Sequence, residues 1–366
     1  MVSVAHASAS TPSIGILGGG FMARVHSRAA RSAGAALEVI ATSDLAGSER
    51  AAADLGFATA ADPDDFFAHP VDVVHVCTPN RAHAQQSLSA LEAGSHIICE
   101  KPVATDSATA GRVLERAEEL GLGGTVPFVY RYHPMVREAR ARIRRGDTGA
   151  LLTVDASYLQ DWLLDPDDEN WRVDAGSGGP SRAFADIGCH LVDLIEFIAG
   201  QTITALAATM RTVHPRRGGV PVSTEDTVAL TVEFSGGAIG SLLVSQVAPG
   251  RKNGLVIEIA GERESLRFAQ EQPEQLWLGR RAESRLLVRD AESLSADAAR
   301  LCRVPAGHPQ GYQDAFDAFI ADSYAVFAGE QREGVPRLAD GLRAVTVTEA
   351  VLRSAAERRW VEVEQP

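Results

Sequence analysis

The stretch SIGILGGGFMARVHSRAARSAGAALEVIATSD, residues 13–44, decides how the rest of the chain is read. Ile14, Ile16 and Leu17 form a short apolar run that ends at Gly18-Gly19-Gly20, and helix-forming residues continue from Phe21 to Gly34. A second apolar run, Leu37, Val39, Ile40 and Ala41, follows, with Asp44 just beyond its end. Strand, glycine turn, helix, strand and lone carboxylate is the order of a dinucleotide-binding βαβ unit. In Gly18-Gly19-Gly20-Phe21-Met22-Ala23 the first glycine permits the tight turn, the second lets a pyrophosphate approach the backbone, and Ala23 allows close helix–strand packing. The phosphates then meet the free N–H groups around Phe21 and Met22 at the positive end of the helix. Asp44 stands where a carboxylate can accept from an adenosine ribose, which favours NAD over NADP because it repels a 2′-phosphate. The glycine triplet alone also fits a plain βα turn; the strand, the helix, the second strand and Asp44 together carry the reading.

Outward from this unit, 366 residues give room for two domains, and 45% hydrophobic residues suit a folded soluble chain. Lys and Arg total 35 against 48 Asp and Glu, and the formal charge of −13 opposes bulk attraction to nucleic acid or an anionic membrane. The expected partner is therefore a small molecule. No run approaches the roughly 18 apolar residues of a membrane span, and residues 1–12, an Ala/Ser-rich stretch expected to be a disordered tail, lack the charged and apolar regions of a signal peptide. A cytoplasmic protein is the expectation. Cys77, Cys99, Cys189 and Cys302 are scattered, as reduced thiols rather than a disulfide frame or a zinc site would be.

Strand-like runs and helical stretches alternate through the first half. Val71 to Cys77 is a buried strand that ends at Thr78-Pro79-Asn80, His83 to Ala93 is a helix, His96 to Cys99 is the next strand, and Asp106 to Leu120 is a helix. This pattern predicts a parallel sheet whose ligand lies beyond the carboxyl ends of the strands, where Gly18 to Met22, Thr78 to Asn80 and Glu100-Lys101-Pro102 fall. Val126 to Tyr132 is predicted as the last strand of a first domain spanning 13–133, with Phe128, Tyr130 and Tyr132 on one face.

The second domain, 134–366, opens with a helix from Pro134 and an alternating strand, Leu152 to Tyr158. Residues 160–180 form a long polar loop carrying Gln160, Asp161, Trp162, Trp171 and Arg172; its tryptophans either stack on a sugar or anchor the loop to the core. Phe184 to Ala199 is helical, and Asp186 and His190, four apart, lie on one side of it. A surface ion pair or a metal half-site would use the same spacing, but no third and fourth ligand stands at metal spacing. Strands at Ile203–Val213, Thr227–Phe234, Ala238–Val247 and Leu255–Ala260 follow, then helices at Tyr312–Phe327 and Leu338–Glu357.

Gly18-x-Gly20, Cys77-Thr78-Pro79-Asn80 with His83, Glu100-Lys101-Pro102 and Asp186-Ile187-Gly188-Cys189-His190, in that order, resemble the Gfo/Idh/MocA family over nearly the whole chain. The resemblance implies an α/β protein with an N-terminal Rossmann domain and a C-terminal α/β domain whose open, mostly antiparallel sheet supports a homo-oligomer, a dimer or tetramer. It also implies an NAD(P)-dependent oxidoreductase with Lys101, Asp186 and His190 as its catalytic trio. The loop from Tyr158 to Leu164 with Asn170-Trp171-Arg172 is similar to the levoglucosan or glucoside dehydrogenase branch. By that analogy Trp171 and Arg172 border the nicotinamide, and Tyr130, Gln160 and Trp162 join Lys101, Asp186 and His190 around the substrate.

The chemistry agrees with this implication. Hydride loss from an alcohol needs a base for the hydroxyl proton and a cation for the oxygen; His190, with an ordinary pKa near 6.5, and Lys101 supply them. Asp186 then orients His190 or holds a substrate hydroxyl. An inositol or other polyol dehydrogenase and a non-catalytic NAD-binding sensor are rival readings of the same residues. A relative that retains NAD for glycoside cleavage is also consistent with these residues.

Overall fold

The computed structural model describes residues 11–365, so most of the expected tail, residues 1–10, lies outside the described residues. Six strands, β1 Ser13–Leu17, β2 Ala36–Ala41, β3 Thr59–Ala60, β4 Val73–Val76, β5 His96–Cys99 and β6 Gly124–Thr125, form a parallel sheet in the order β3-β2-β1-β4-β5-β6. Helices α1 Phe21–Ser32, α2 Leu45–Leu55, α3 Asn80–Glu92 and α4 Ser107–Glu119 connect them. The strand order reverses between β1 and β4, the point at which sheets of this kind hold a ligand in a crevice beyond the carboxyl ends. The interiors of the central strands are apolar apart from His75 of β4, because helices cover both faces.

Helix α5, Pro134–Arg144, leads to β7, Leu151–Leu159. A long loop containing the single turn α6, Ala175–Gly178, precedes α7, Cys189–Ala199, and β8, Ile203–Arg211. The small hairpin β9 Arg216–Arg217 and β10 Val220–Pro221 is followed by β11 Thr227–Phe234, β12 Ile239–Ser245, β13 Gly254–Gly261, β14 Ser265–Ala269, β15 Gln275–Gly279 and β16 Ser284–Val288. The turn α8 Ala296–Ala299, the helices α9 Tyr312–Phe327 and α10 Leu338–Glu357, and β17 Val361–Glu362 complete the chain. The large sheet runs β16-β15-β14-β13-β7-β12-β11-β8-β17, antiparallel throughout except between β7 and β12.

Two expectations are corrected here. The strand expected from Val126 to Tyr132 is absent: β6 stops at Thr125 and Val129–Tyr132 is a 3₁₀ turn. Pro127 has no amide hydrogen to extend the ladder, and Val126 N donates instead to Pro336 O at 3.1 Å. Tyr130 therefore turns toward His190, 5.2 Å between ring centroids, while Tyr132 packs on Phe319. The helix expected from Phe184 begins as a π turn, Phe184–Gly188, before α7. Three strands between residues 265 and 288 were not foreseen; Leu266, Phe268, Leu276 and Leu278 alternate inward, but each run is too short to stand out by period alone.

The last two long helices belong structurally to both halves. One face of the parallel sheet packs on α1 and on Phe316, Phe319 and Ile320 of α9. The other face packs on α3, α4 and on Leu338, Ala344 and Val345 of α10. Further along α10, Val347, Ala350 and Val351 enter the core under the large sheet, so one helix is shared by two cores. Removing the fully buried Phe319 ring should cost about 3–5 kcal/mol. Denaturant unfolding of Phe319→Ala should show that loss, and a loss below about 1 kcal/mol would mean that α9 does not complete the first core.

Candidate active site

The glycine turn after β1 is shaped by steric need. Gly18 has φ +114°, and a Cβ there would lie 2.5 Å from Cys77 O, so no larger residue fits. Around the Gly20 position nothing lies within 4 Å of where a Cβ would be. No side chain caps α1 and no acidic residue occupies its first turn, which leaves its N–H groups free beside an exposed Phe21 and a half-buried Met22. Asp44 is exposed at the end of β2 and is also the N-cap of α2, its Oδ1 accepting from Gly47 N at 2.6 Å. Free helix-end amides, an open backbone cradle and an exposed carboxylate together fit a dinucleotide.

Cys77-Thr78-Pro79-Asn80 forms the facing turn. Asn80 Nδ2 donates to Gly178 O at 2.9 Å, so this side chain fastens the long loop to the parallel sheet. His83 is buried, with its ring nitrogens each 2.7 Å from a carbonyl oxygen, those of Pro102 and Thr78. It braces two loops from behind rather than facing the crevice. Glu100 is likewise buried: Oε2 accepts from Lys101 N at 3.2 Å, and Oε1 meets His26 Nε2 at 3.2 Å. Behind it, His26 Nδ1 meets His75 Nδ1 and His75 Nε2 meets Tyr324 Oη, both at 2.9 Å. Burial favours the protonated Glu100, but the bond and charge of His26 and the charge of Lys101 outweigh it and hold the carboxylate below its ordinary range.

Lys101 reaches across the crevice. Its Nζ donates to Asp186 Oδ1 at 2.7 Å and to Asp186 O at 2.9 Å. Arg172 Nε shares Oδ1 at 3.2 Å, and Gln246 Nε2 donates to Oδ2 at 2.9 Å. Burial would neutralise both members of the ion pair, yet each stabilises the other: Lys101 is raised above the lysine value and Asp186 is held well below the carboxylate range. The expectation that Asp186 orients His190 is not met, because both carboxylate oxygens are taken by Lys101, Arg172 and Gln246. His190 stands next to the pair between Phe128 and Tyr130. Its Nδ1 is buried without a hydrogen-bond partner, whereas Nε2 is unbonded but not fully buried. Burial and then the Lys101 ammonium push its pKa down to about 3, so the imidazole is neutral. Among the described residues no group of three His, Cys, Asp or Glu could hold a metal ion.

The wall above this cluster comes from the second half of the chain. Trp171 carries the Arg172 guanidinium 4.4 Å above its ring. Gln160 and Trp162 follow β7; Trp162 Nε1 donates to Gln160 Oε1 at 2.7 Å. Asp161 is engaged by Lys252 Nζ and Gly250 N. Tyr130 joins Tyr158 and Asn253 in a hydrogen-bonded triangle next to Gln160. Gln246, Tyr158 and Asn253 are the members the sequence did not reveal. Each is a single polar residue at a strand end, and only strand pairing brings Gln246 to Asp186.

The comparisons agree with this geometry. The description "Oxidoreductase family, NAD-binding Rossmann fold" matches residues 13–127, and "GFO/IDH/MocA C-terminal domain" matches residues 136–267. Levoglucosan dehydrogenase of Pseudarthrobacter phenanthrenivorans is 29% identical, covering 96% of this chain and 98% of that protein. Among solved structures, an oxidoreductase domain protein from Kribbella flavida is 33% identical with TM-score 0.90, covering 97% of this chain and all (100%) of that one. A levoglucosan dehydrogenase in complex with NADH and levoglucosan is 29% identical with TM-score 0.90, covering 97% and 100%. The chain belongs to the Gfo/Idh/MocA family of oxidoreductases, with an NAD-binding Rossmann fold at its N-terminal end.

Proposed function

We propose that the protein is an NAD-dependent dehydrogenase that oxidises a secondary hydroxyl of a neutral sugar, anhydrosugar or glycoside. The observation that carries this reading is the Lys101–Asp186 pair, drawn from the two halves of the chain, with a neutral His190 beside it and the glycine turn below. When bound, NAD supplies the hydride acceptor. Lys101 Nζ donates to the substrate oxygen and stabilises the negative charge that C–H cleavage develops there, while Asp186 keeps the lysine charged. His190 Nε2 takes the hydroxyl proton. Arg172, Asp186 and Trp171 border the crevice, and Tyr130, Gln160 and Trp162 face the ring. The similarity to levoglucosan dehydrogenase over the full chain favours an anhydrosugar or glycoside over myo-inositol.

The same reading includes residues 13–133 as the cofactor domain, 134–366 as the substrate domain, and a homo-oligomer. Ala229, Thr231, Ser241 and Leu243 lie side by side on the exposed face of β11 and β12, a small-residue and apolar patch flanked by Glu233 and Asp155, which suits a second copy. Light scattering that returned only the monomer mass would remove that part. A cytoplasmic setting is also part of it, since all four cysteines are free thiols.

The deciding experiment is steady-state oxidation of levoglucosan, methyl glucosides, myo-inositol and sugar phosphates with NAD and with NADP. The anhydrosugar or glycoside with NAD should give the highest kcat/KM; a higher value for a sugar phosphate or for myo-inositol would sink the substrate class. Asp44→Ser keeps an N-cap for α2 but removes the charge, and should narrow the preference for NAD. An unchanged preference in that variant would show that Asp44 does not set it.

Lys101→Ala and His190→Ala should each lower kcat by roughly 10²- to 10⁴-fold, with a smaller change in NAD affinity. The depressed pKa of His190 also fixes a pH profile. A base is lost when it protonates, so lowering its pKa moves the acid limb of kcat/KM below pH 6.5. The wild-type profile should stay level as pH falls from about 8 to about 5. A limb centred near 6.5 that disappears in a His190 variant would instead show that the imidazole is solvated.

A further inference from the structure

The hydrogen-bonded group Trp162, Gln160, Asn253, Tyr158 and Tyr130 contains two amides and two phenols, each of which could point either way in isolation. Taken together they have one solution. An indole N–H can only donate, so at 2.7 Å from Trp162 Nε1 the Gln160 atom must be Oε1. Gln160 Nε2 then faces Asn253 at 3.0 Å, and the Asn253 atom there must be the acceptor Oδ1. Tyr158 Oη approaches that same oxygen and can bond to it only by donating its one proton. The Tyr158 oxygen is therefore an acceptor toward Tyr130, and the 2.6 Å contact between the phenols is made by the Tyr130 proton. Asn253 Nδ2 closes the triangle by donating to Tyr130 Oη at 3.2 Å.

We infer that Asn253 and Trp162 are specificity-determining residues that set the hydrogen-bond polarity of the substrate wall. The inference rests on the sugar dehydrogenase reading for its substrate. Tyr130 has no proton left to give, so its oxygen, next to His190, can only accept from a substrate hydroxyl. Trp162 offers an apolar ring face and no donor. Gln160 retains one Nε2 hydrogen and presents a donor. The wall thus selects a hydroxyl that donates at Tyr130 and an oxygen that accepts at Gln160. A polyol turned by one position, or an ether in place of the first hydroxyl, meets mismatched groups.

Fluorine accepts weakly and cannot donate, so deoxyfluoro sugars read this polarity. The experiment compares kcat/KM for levoglucosan with its monodeoxy and monodeoxyfluoro analogues at each carbon other than the one oxidised. In the wild type one position should lose about 10- to 100-fold for hydrogen and for fluorine alike, marking the hydroxyl that donates to Tyr130. In Asn253→Leu the phenol protons are released, and the fluorine penalty at that position should shrink at least about fivefold relative to hydrogen. Trp162→Phe keeps the apolar face, unlocks the amides and should move the same ratio in the same direction. Fluorine better tolerated than hydrogen at every position in the wild type, or the same ratio in both variants, would overturn the inference. A neutron structure of the free protein gives a readout that needs no turnover: deuterons on Tyr130 Oη toward Tyr158 and on Tyr158 Oη toward Asn253 support the polarity, and the reverse pattern refutes it. Failure of the wild type to oxidise any sugar, with the deuterons as expected, would fall on the dehydrogenase reading instead.

Discussion

The ion pair between Lys101 and Asp186 is the constraint on which the site depends. Each charge is largely buried, and removing one partner of such a pair costs roughly 3–5 kcal/mol because the other is left uncompensated. The pair is kept because its remaining valences are filled: Arg172 and Gln246 take up the carboxylate, and Asp186 O accepts a second lysine hydrogen. Its consequences spread outward. Lys101 stays an ammonium, Asp186 stays a carboxylate, and the field of that ammonium helps to keep His190 neutral. One interaction therefore assigns protonation states to three groups that a sequence leaves open.

A contact of this kind survives only if the two halves of the chain hold a fixed relation. Helix α10 provides much of that, burying one stretch against α4 and the parallel sheet and the next under the large sheet. Ser107 at the start of α4 is bound through both its N–H and its hydroxyl to Glu349 of α10, at 2.8 and 2.6 Å. On the other side of the crevice Asn80 fastens the loop that carries Arg172. Glu225 accepts from Ser181, Arg182 and Phe184 at the start of the π turn, which fixes where Asp186 emerges. The π turn itself is a register shift of the kind often found at functional sites, and here it lies between the anchored residues and His190.

Behind the crevice, the chain from Glu100 through His26 and His75 to Tyr324 fills the parallel-sheet core with polar groups that must all be satisfied. It draws on α1, β4, the end of β5 and α9, so the helix from the far end of the sequence completes the surroundings of the residue next to Lys101. Burial and His26 together keep His75 neutral.

The sequence by itself determined what is periodic or sterically forced. Glycine at position 18 is demanded by a left-handed backbone against Cys77, the βα alternation gives the parallel sheet, and the amphipathic stretches Tyr312–Phe327 and Leu338–Glu357 are helices with those same ends. Short ordered motifs placed Lys101, Asp186 and His190 as candidates. Tertiary structure alone decided their partners. Lys101 and Asp186 are 85 residues apart, and no local period connects them. Asp186 turns to lysine, arginine and glutamine rather than to His190, because strand β12 delivers Gln246 and the loop delivers Arg172. Tyr130 leaves its expected strand because Pro127 cannot continue a ladder, and its hydroxyl is then oriented by Asn253, 123 residues away. Local propensity fixes elements, whereas protonation and hydrogen-bond polarity depend on which groups the fold buries together.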